Sequence, residues 1–149
     1  MREVTPSAAY EELGHLLGSI CRLHHTRADQ SMERIGLFRG QAILLMILSR
    51  HDGITHSEIA EKLGISPAAA TKVIKRMEGA GYVLRQADPT DARVSRVCLQ
   101  DRGRALIAEI ERAFGELDRT MFEGLLESDL VRFRELLTQM ASNLQRFQP

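Results

Sequence analysis

The chain has no tryptophan, and phenylalanine and tyrosine together supply only 5% of its 149 residues. A platform of aromatic rings for stacking single-stranded bases is therefore a poor fit. Cysteine is scarce: Cys21 and Cys98 form no CxxC pair, which fits reduced thiols in a cytoplasm rather than a disulfide scaffold. No apolar run approaches the ~20 residues needed to span a bilayer, and the best is Ala42 to Leu48, so no membrane association is expected. Met1 to Tyr10 lacks the basic-then-apolar order of a signal peptide. Walker, GxSxG, HExxH and dinucleotide motifs are missing, and no spacing of Ser, His and Asp pairs a nucleophile with a base, so an enzyme has no support. All five histidines (His15, His24, His25, His51 and His56) lie in the first 56 residues without a second ligand pair, so neither a metal nor another cofactor is expected.

An excess of one charge is missing as well, with 20 basic and 20 acidic side chains. The balance excludes a uniformly basic packaging protein, but it hides a partition. Residues 1–65 carry 7 basic and 8 acidic groups, residues 66–104 carry 8 and 4, and residues 105–149 carry 5 and 8. The middle is thus +4 between acidic ends, the sign of a local surface for a polyanion.

Thr5-Pro6 has the form of a helix cap followed by proline in the first turn. Leu13, Leu16, Leu17, Ile20 and Leu23 then form one stripe of an amphipathic helix running to about Asp29. Gly36 and Gly40 bracket a break. Residues 41–50 follow as a helix apolar nearly all round, which places it inside the domain, and Gly53 stops it. Ile54-Thr55 makes a short extended link. Thr55 and Glu58 have capping-box spacing for a helix to Lys62. Leu63-Gly64-Ile65 is a sharp turn, and Ser66-Pro67 opens a second helix through Ala68 to Glu78, ended by Gly81. Two short helices joined by a glycine turn form a helix-turn-helix.

The period then changes. Tyr82 to Gln86 reads as a strand, Ala87 to Ala92 as a turn, and Val94 to Leu99 as the returning strand, with Val97 and Leu99 on one side and Arg96 and Cys98 on the other. Gln100 or Asp101 caps a long helix with a stripe at Leu106, Ile110, Ala113, Phe114, Leu117 and Met121. A last helix starts at Glu127-Ser128-Asp129 and carries Leu130, Phe133, Leu136, Leu137, Met140, Leu144 and Phe147. The terminal stripes exceed what the middle needs for its own core, so they are expected to bury against a second copy in a homodimer.

The fold expected is mainly α with a small β-hairpin wing, a winged helix-turn-helix with terminal dimerisation helices. Residues 1–36 form the N-terminal dimerisation helix, 37–100 the DNA-binding lobe and 101–149 the C-terminal dimerisation helices. Such a module lays its second helix in the major groove of double-stranded DNA, where its first residues meet base edges. Here these are Ser66, Pro67, Ala68, Ala69, Ala70, Thr71 and Lys72, and the short alanines let the backbone come close. Thr71, Lys75 and Arg76 stand where phosphate contacts are expected. Arg93, at the hairpin tip, has the length and fixed charge to enter an A·T-rich minor groove. Asp91 fits as its orienting partner, and Arg85 and Arg96, on the strands, are expected to hold phosphates.

These residues resemble a family. Asp91-Ala92-Arg93, followed by Leu99-Gln100 and Gly103, is similar to the wing signature of the MarR family of winged helix-turn-helix regulators. The run from Ile59 to Ser66, with Val73-Ile74 and Met77 to Val83, is similar to its helix-turn-helix. Gln100 departs from the threonine usual there, which concerns the cap of the next helix. The resemblance implies a homodimer that represses transcription from a pseudo-palindromic operator and is released by a small phenolic or lipophilic effector, or by an oxidant. It places the effector between the dimerisation helices and the DNA-binding lobe, which on this chain involves His24, His25, Arg27, Phe38 and Arg39; a solvated helix end is the plainer account of the first three. It also raises a thiol sensor at Cys21, though the tyrosines of that branch of the family are not matched. A buried, inert thiol is the expectation for Cys21 and for Cys98. The rival reading of the whole chain is a winged helix that binds only protein.

Overall fold

The computed structural model describes residues 6–147. The proposed Thr5 cap lies outside them. Helix α1 spans Pro6–Arg34, five residues past the expected end. It gives way at Gly36, whose φ of +79° only glycine adopts without strain. Helix α2 spans Arg39–Arg50, so Gly40 sits within the helix rather than at the break. The Gln41 side chain accepts a hydrogen bond from the Phe38 N–H at 2.9 Å, which satisfies the first turn.

Helix α2 is the hub. Gln41, Ala42, Leu44, Leu45 and Leu48 are buried, and the helix packs on α1 and on four elements that follow it. Leu44, Leu45 and Leu48 are fully enclosed, and each contributes about 1.5–3 kcal/mol by leaving water. The larger side chains of the remaining core include Met32, Ile59, Ile74, Met77, Val83, Val97, Leu99 and Ile110.

Ile54–Thr55 is strand β1, helix α3 spans His56–Leu63, and helix α4 spans Pro67–Gly79. Strands β2 (Val83–Ala87) and β3 (Ser95–Leu99) form the antiparallel hairpin. The link at Ile54-Thr55 is a true strand, pairing Ile54 with Val97 and Thr55 with Arg96, so the sheet order is β1-β3-β2. Val97 and Leu99 face the core while Arg96 and Cys98 are half-buried on the other side.

The expected long helix after the hairpin is interrupted. Helix α5 is short, Asp101–Arg104, and α6 spans Ile107–Met121. Between them the Leu106 N–H bonds to the Gly103 carbonyl at 3.1 Å, a tightened turn. Gly103 itself is wedged: a Cβ there would lie 2.4 Å from the Tyr82 carbonyl oxygen and 3.0 Å from both Leu45 and Leu99 side chains. Helix α7 spans Glu127–Arg146.

The chain forms two compact units, residues 1–115 and 116–149. The first holds the helix-turn-helix, the sheet and α1. In the second, the Phe122 and Phe133 rings meet edge to face at 6.4 Å, and the Asp129 carboxylate accepts from the Leu126 N–H at the start of α7.

Candidate nucleic-acid interface

The helix-turn-helix is held by its own sequence. The Thr55 hydroxyl accepts from the Glu58 N–H, and the Glu58 carboxylate accepts from the Thr55 N–H at 2.8 Å, a reciprocal cap for α3. The Thr55 N–H, with the Thr55 hydroxyl that also donates to the carboxylate, holds the Glu58 carboxyl below its ordinary range. Gly64 ends α3 in the left-handed region at φ +63°. The Ser66 hydroxyl accepts from the Ala69 N–H at 3.2 Å, and Pro67 occupies the first turn of α4.

Helix α4 turns Ala70, Ile74 and Met77 into the core. Ser66, Pro67, Ala68, Thr71, Lys72, Lys75 and Arg76 are exposed and Ala69 is half-buried. Ala70 is therefore corrected: it is fully enclosed and belongs to the packing, not to the DNA-facing set. The Thr71 hydroxyl donates to the Pro67 carbonyl at 3.0 Å. Arg76 lies over the Phe38 ring, 5.5 Å from its centroid. Lys72 and Lys75 have no ion-pair partner among the described residues.

The wing arginines differ sharply. Arg93 is 90% exposed, and its guanidinium is steadied by Asp91, which accepts from Nε at 3.1 Å, from Nη2 at 3.3 Å and from the Arg93 backbone N–H at 3.0 Å. The same bonds hold the Asp91 carboxyl below its ordinary range. Asp91 stands where an orienting partner would stand.

Arg85 and Arg96 are engaged within the lobe. Arg85 pairs with Glu78 of α4 at 2.7 Å and ties β2 to that helix. Arg96 bonds the Asp88 carboxylate and donates through Nη1 to the Gly53 carbonyl at 2.8 Å. Asp88 escaped the sequence reading as a site residue. It is buried, and Thr90 and Arg96 hold its carboxyl far below the ordinary range, with the Thr90 and Asp91 N–H groups adding to the effect. A carboxylate two residues before a threonine, in a turn, was the available signal.

A cavity of about 570 Å³ opens beside Asp29, Glu33, Gly36, Leu37, Phe38 and Arg39. Phe38 and Arg39 are thus brought together, and Arg39 pairs with Asp29 at 2.9 Å. His24, His25 and Arg27 are not among its lining residues; the two imidazoles lie 6.3 Å apart, and Arg27 donates to the Gln30 side chain. Cys21 is exposed, against the expectation of a buried thiol. It belongs to an α1 stretch whose large apolar side chains also face outward, which a helix pattern alone could not reveal. Cys98 is half-buried, and burial raises its pKa. Among the described residues no group of three His, Cys, Asp or Glu side chains is placed to hold a metal ion, and no helix is long and apolar enough to cross a membrane.

A glycine-turned helix pair with an exposed second helix, followed by a hairpin anchored beside it and tipped with arginine, is a winged helix-turn-helix of the DNA-binding kind. The family model of the MarR family matches residues 37–95. The chain is 30% identical over 125 residues to the HTH-type transcriptional repressor IacR of Pseudomonas putida, covering 81% of this chain and 75% of that one. It is 26% identical over 131 residues to the HTH-type transcriptional repressor Rv2887 of Mycobacterium tuberculosis, covering 88% and 94%. Among solved structures, BpsR of Bordetella bronchiseptica, described for the regulation of its DNA binding by 6-hydroxynicotinic acid, superposes with a TM-score of 0.76 at 26% identity, covering 86% of this chain and 91% of that one. The chain belongs to the MarR family of DNA-binding transcription regulators, which are not enzymes.

Proposed function

We propose that this chain is a homodimeric repressor that reads a pseudo-palindromic operator in double-stranded DNA and is released by a small effector. The observation that carries the reading is the wing tip, where a 90% exposed Arg93 is presented by a bidentate carboxylate in the same basic stretch of sequence as α4. Ser66, Pro67, Ala68, Ala69, Thr71 and Lys72 meet base edges, Lys75 and Arg76 meet phosphates, and Arg93 enters the minor groove. The terminal helices, within residues 1–36 and 101–149, join two copies so that the half-sites lie about one helical turn apart, ~34–36 Å. Repression is favoured by the names of IacR and Rv2887.

The effector seat is the cavity at the α1–α2 turn, with Phe38 and Arg39 on its wall. BpsR supports the idea that an organic acid controls DNA binding in this fold. The Asp29 carboxylate on the cavity wall already pairs with Arg39, so a neutral phenolic or lipophilic ligand fits more simply than an acid. Because Phe38 carries Arg76 of α4 on its ring, a ligand that moves Phe38 also frees or shifts Arg76, a side chain of the DNA-facing helix.

The test is fluorescence anisotropy on DNA from upstream of the chain's own gene, with a scrambled duplex as control, across a salt series. Selective binding that falls with log salt supports the reading. Arg93→Ala should cost about 1–3 kcal/mol of operator affinity and relax selectivity. Unchanged affinity in that variant rejects the wing as a reader and points to a protein-docking module. The exposure of Cys21 leaves one second reading, an oxidant sensor: Cys21→Ser should then abolish peroxide-induced release, and retained release rejects it.

A further inference from the structure

The strand arginines stand, by sequence, where phosphates are expected, but Arg96 is built into the lobe. Its guanidinium reaches backbone 43 residues away in sequence, donating to the carbonyl of Gly53 at 2.8 Å, and it also donates to the carboxylate of Asp88. Asp88 closes the turn into the tip, accepting from the Thr90 N–H at 2.7 Å, the Thr90 hydroxyl at 2.6 Å and the Asp91 N–H at 3.0 Å. Asp91 is the residue that holds Arg93. One chain of bonds therefore runs from the corner after α2, through Arg96, Asp88 and Asp91, to the tip arginine. Exposure is lowest in the middle of the chain, where the Asp88 side chain is 6% exposed, with Arg96 at 41% on one side and Asp91 at 41% and Arg93 at 90% on the other.

We propose that Asp88 and Arg96 are positioning residues for DNA recognition, which fix the angle at which the hairpin leaves the lobe and so aim Arg93, and that Arg96 is not a phosphate ligand. This rests on the reading that Arg93 meets DNA. A two-stranded hairpin is marginal alone in water, and β2 and β3 stop pairing at Ala87 and Ser95. Beyond that point the Asp88 N–H bonds the Val94 carbonyl and the Val94 N–H bonds the Asp91 carbonyl, both inside the turn. Without the Asp88 carboxylate the turn is loosened, and binding must order Arg93 at an entropic cost. Lysine cannot replace Arg96, because a single ammonium lacks the planar fork that serves an acceptor on each side.

The experiment compares wild type with Asp88→Asn, Arg96→Lys, Arg96→Gln, Thr90→Val and Arg93→Ala. The probes are a duplex that the wild type selects from a random-sequence pool and a scrambled duplex, each titrated across salt. Positioning predicts that Asp88→Asn weakens the selected duplex roughly tenfold, although it removes a negative charge from the DNA-facing side. Arg96→Lys should lose a similar factor despite keeping its charge. Neither should change the slope against log salt or the affinity for the scrambled duplex. The Asp88→Asn, Arg96→Gln double variant should be no weaker than the worse single variant, because both remove one unit.

Two results overturn the proposal. One is Asp88→Asn binding as tightly as wild type or more tightly. The other is Arg96→Lys restoring affinity while Arg96→Gln loses about one unit of salt slope, the behaviour of a phosphate ligand. If Asp88→Asn fails to fold by its unfolding transition, Arg96→Lys and Thr90→Val decide, the latter removing one hydroxyl bond and expected to give a smaller loss in the same direction. Failure of the underlying reading is distinct: in that case Arg93→Ala retains selective binding, or the wild type selects no sequence.

Discussion

Helices α2 and α7 both carry apolar side chains at three- and four-residue steps, yet α2 buries five of its 12 residues and α7 buries none of its 20. Around α2 the lobe closes on itself: caps, turn and hairpin each find their partners within residues 28–110. In α7 and the residue that caps its C-terminus, Leu130, Phe133, Leu137, Met140, Leu144 and Phe147 follow a 3-4-3-4-3 spacing, and all are at least 37% exposed. That is the spacing of a helix that packs against another helix. On α1, Tyr10, Leu13, Leu16, Ile20 and Leu23 are similarly uncovered. The contrast teaches that the lobe completes its own core while the terminal helices leave long apolar faces open, and since contiguous apolar faces of this extent rarely stay in water, it supports the homodimer proposed above.

The largest effect expected is therefore on assembly. Leu137→Glu places a charge on the α7 seam. Sedimentation should show a dimer in the wild type and a monomer in the variant, and operator affinity should fall about 10²-fold or more, because two half-sites are no longer bound together. The thermal stability of the lobe should change little. A variant that stays dimeric with full affinity breaks the comparison, because α7 would then not be the seam.

Much of the lobe was legible because its signals are local. Thr55 with Glu58, Ser66 with Pro67, and Gly64 each act within a few residues, and each forms the bond its spacing announces. The pairing of β1 with β3 was not legible, since a two-residue strand has no period and its partner lies some forty residues away. The same holds for the strand arginines. Their charge could be read, but whether it faces DNA or Asp88 depends on hairpin register, which sets Gln86 opposite Arg96 and Ala87 opposite Ser95. The interruption after Arg104, where the Leu106 N–H bonds the Gly103 carbonyl, carries no turn residue that announces it in the sequence.

Gly103 gives the second test of the contrast. Gly103→Ala must push its Cβ against the backbone oxygen of Tyr82, which cannot swing aside like a side chain. Urea unfolding should show a loss of about 1–3 kcal/mol, toward the upper end. Gly115, in α6, has a negative φ, and a Cβ added there would meet nothing within 4 Å. Gly115→Ala should be neutral or stabilise by about 0.5–1 kcal/mol. Equal losses at both sites would mean that the lobe is no more tightly closed than the helix leading out of it.

The smallest effect is on pH dependence and should be confined to the lobe. His56 starts α3 with its Nε2 buried and without a hydrogen-bond partner among the described residues. Burial lowers its pKa from 6.5, the Arg85 guanidinium lowers it further, and Glu78 partly opposes them. The unfolded chain thus takes up this proton more readily than the folded one, so folding stability rises with pH across the titration. His56 makes its full contribution above pH 6.5 and loses it as pH falls toward the lowered value. Urea midpoints of wild type and His56→Gln, compared over this range, isolate the residue from the other histidines. The wild type should lose stability faster on acidification than the variant, while the dimer mass at matched pH stays the same for both. Identical slopes would show that the buried imidazole finds a partner when charged, and the lobe would then be less completely closed than its packing indicates.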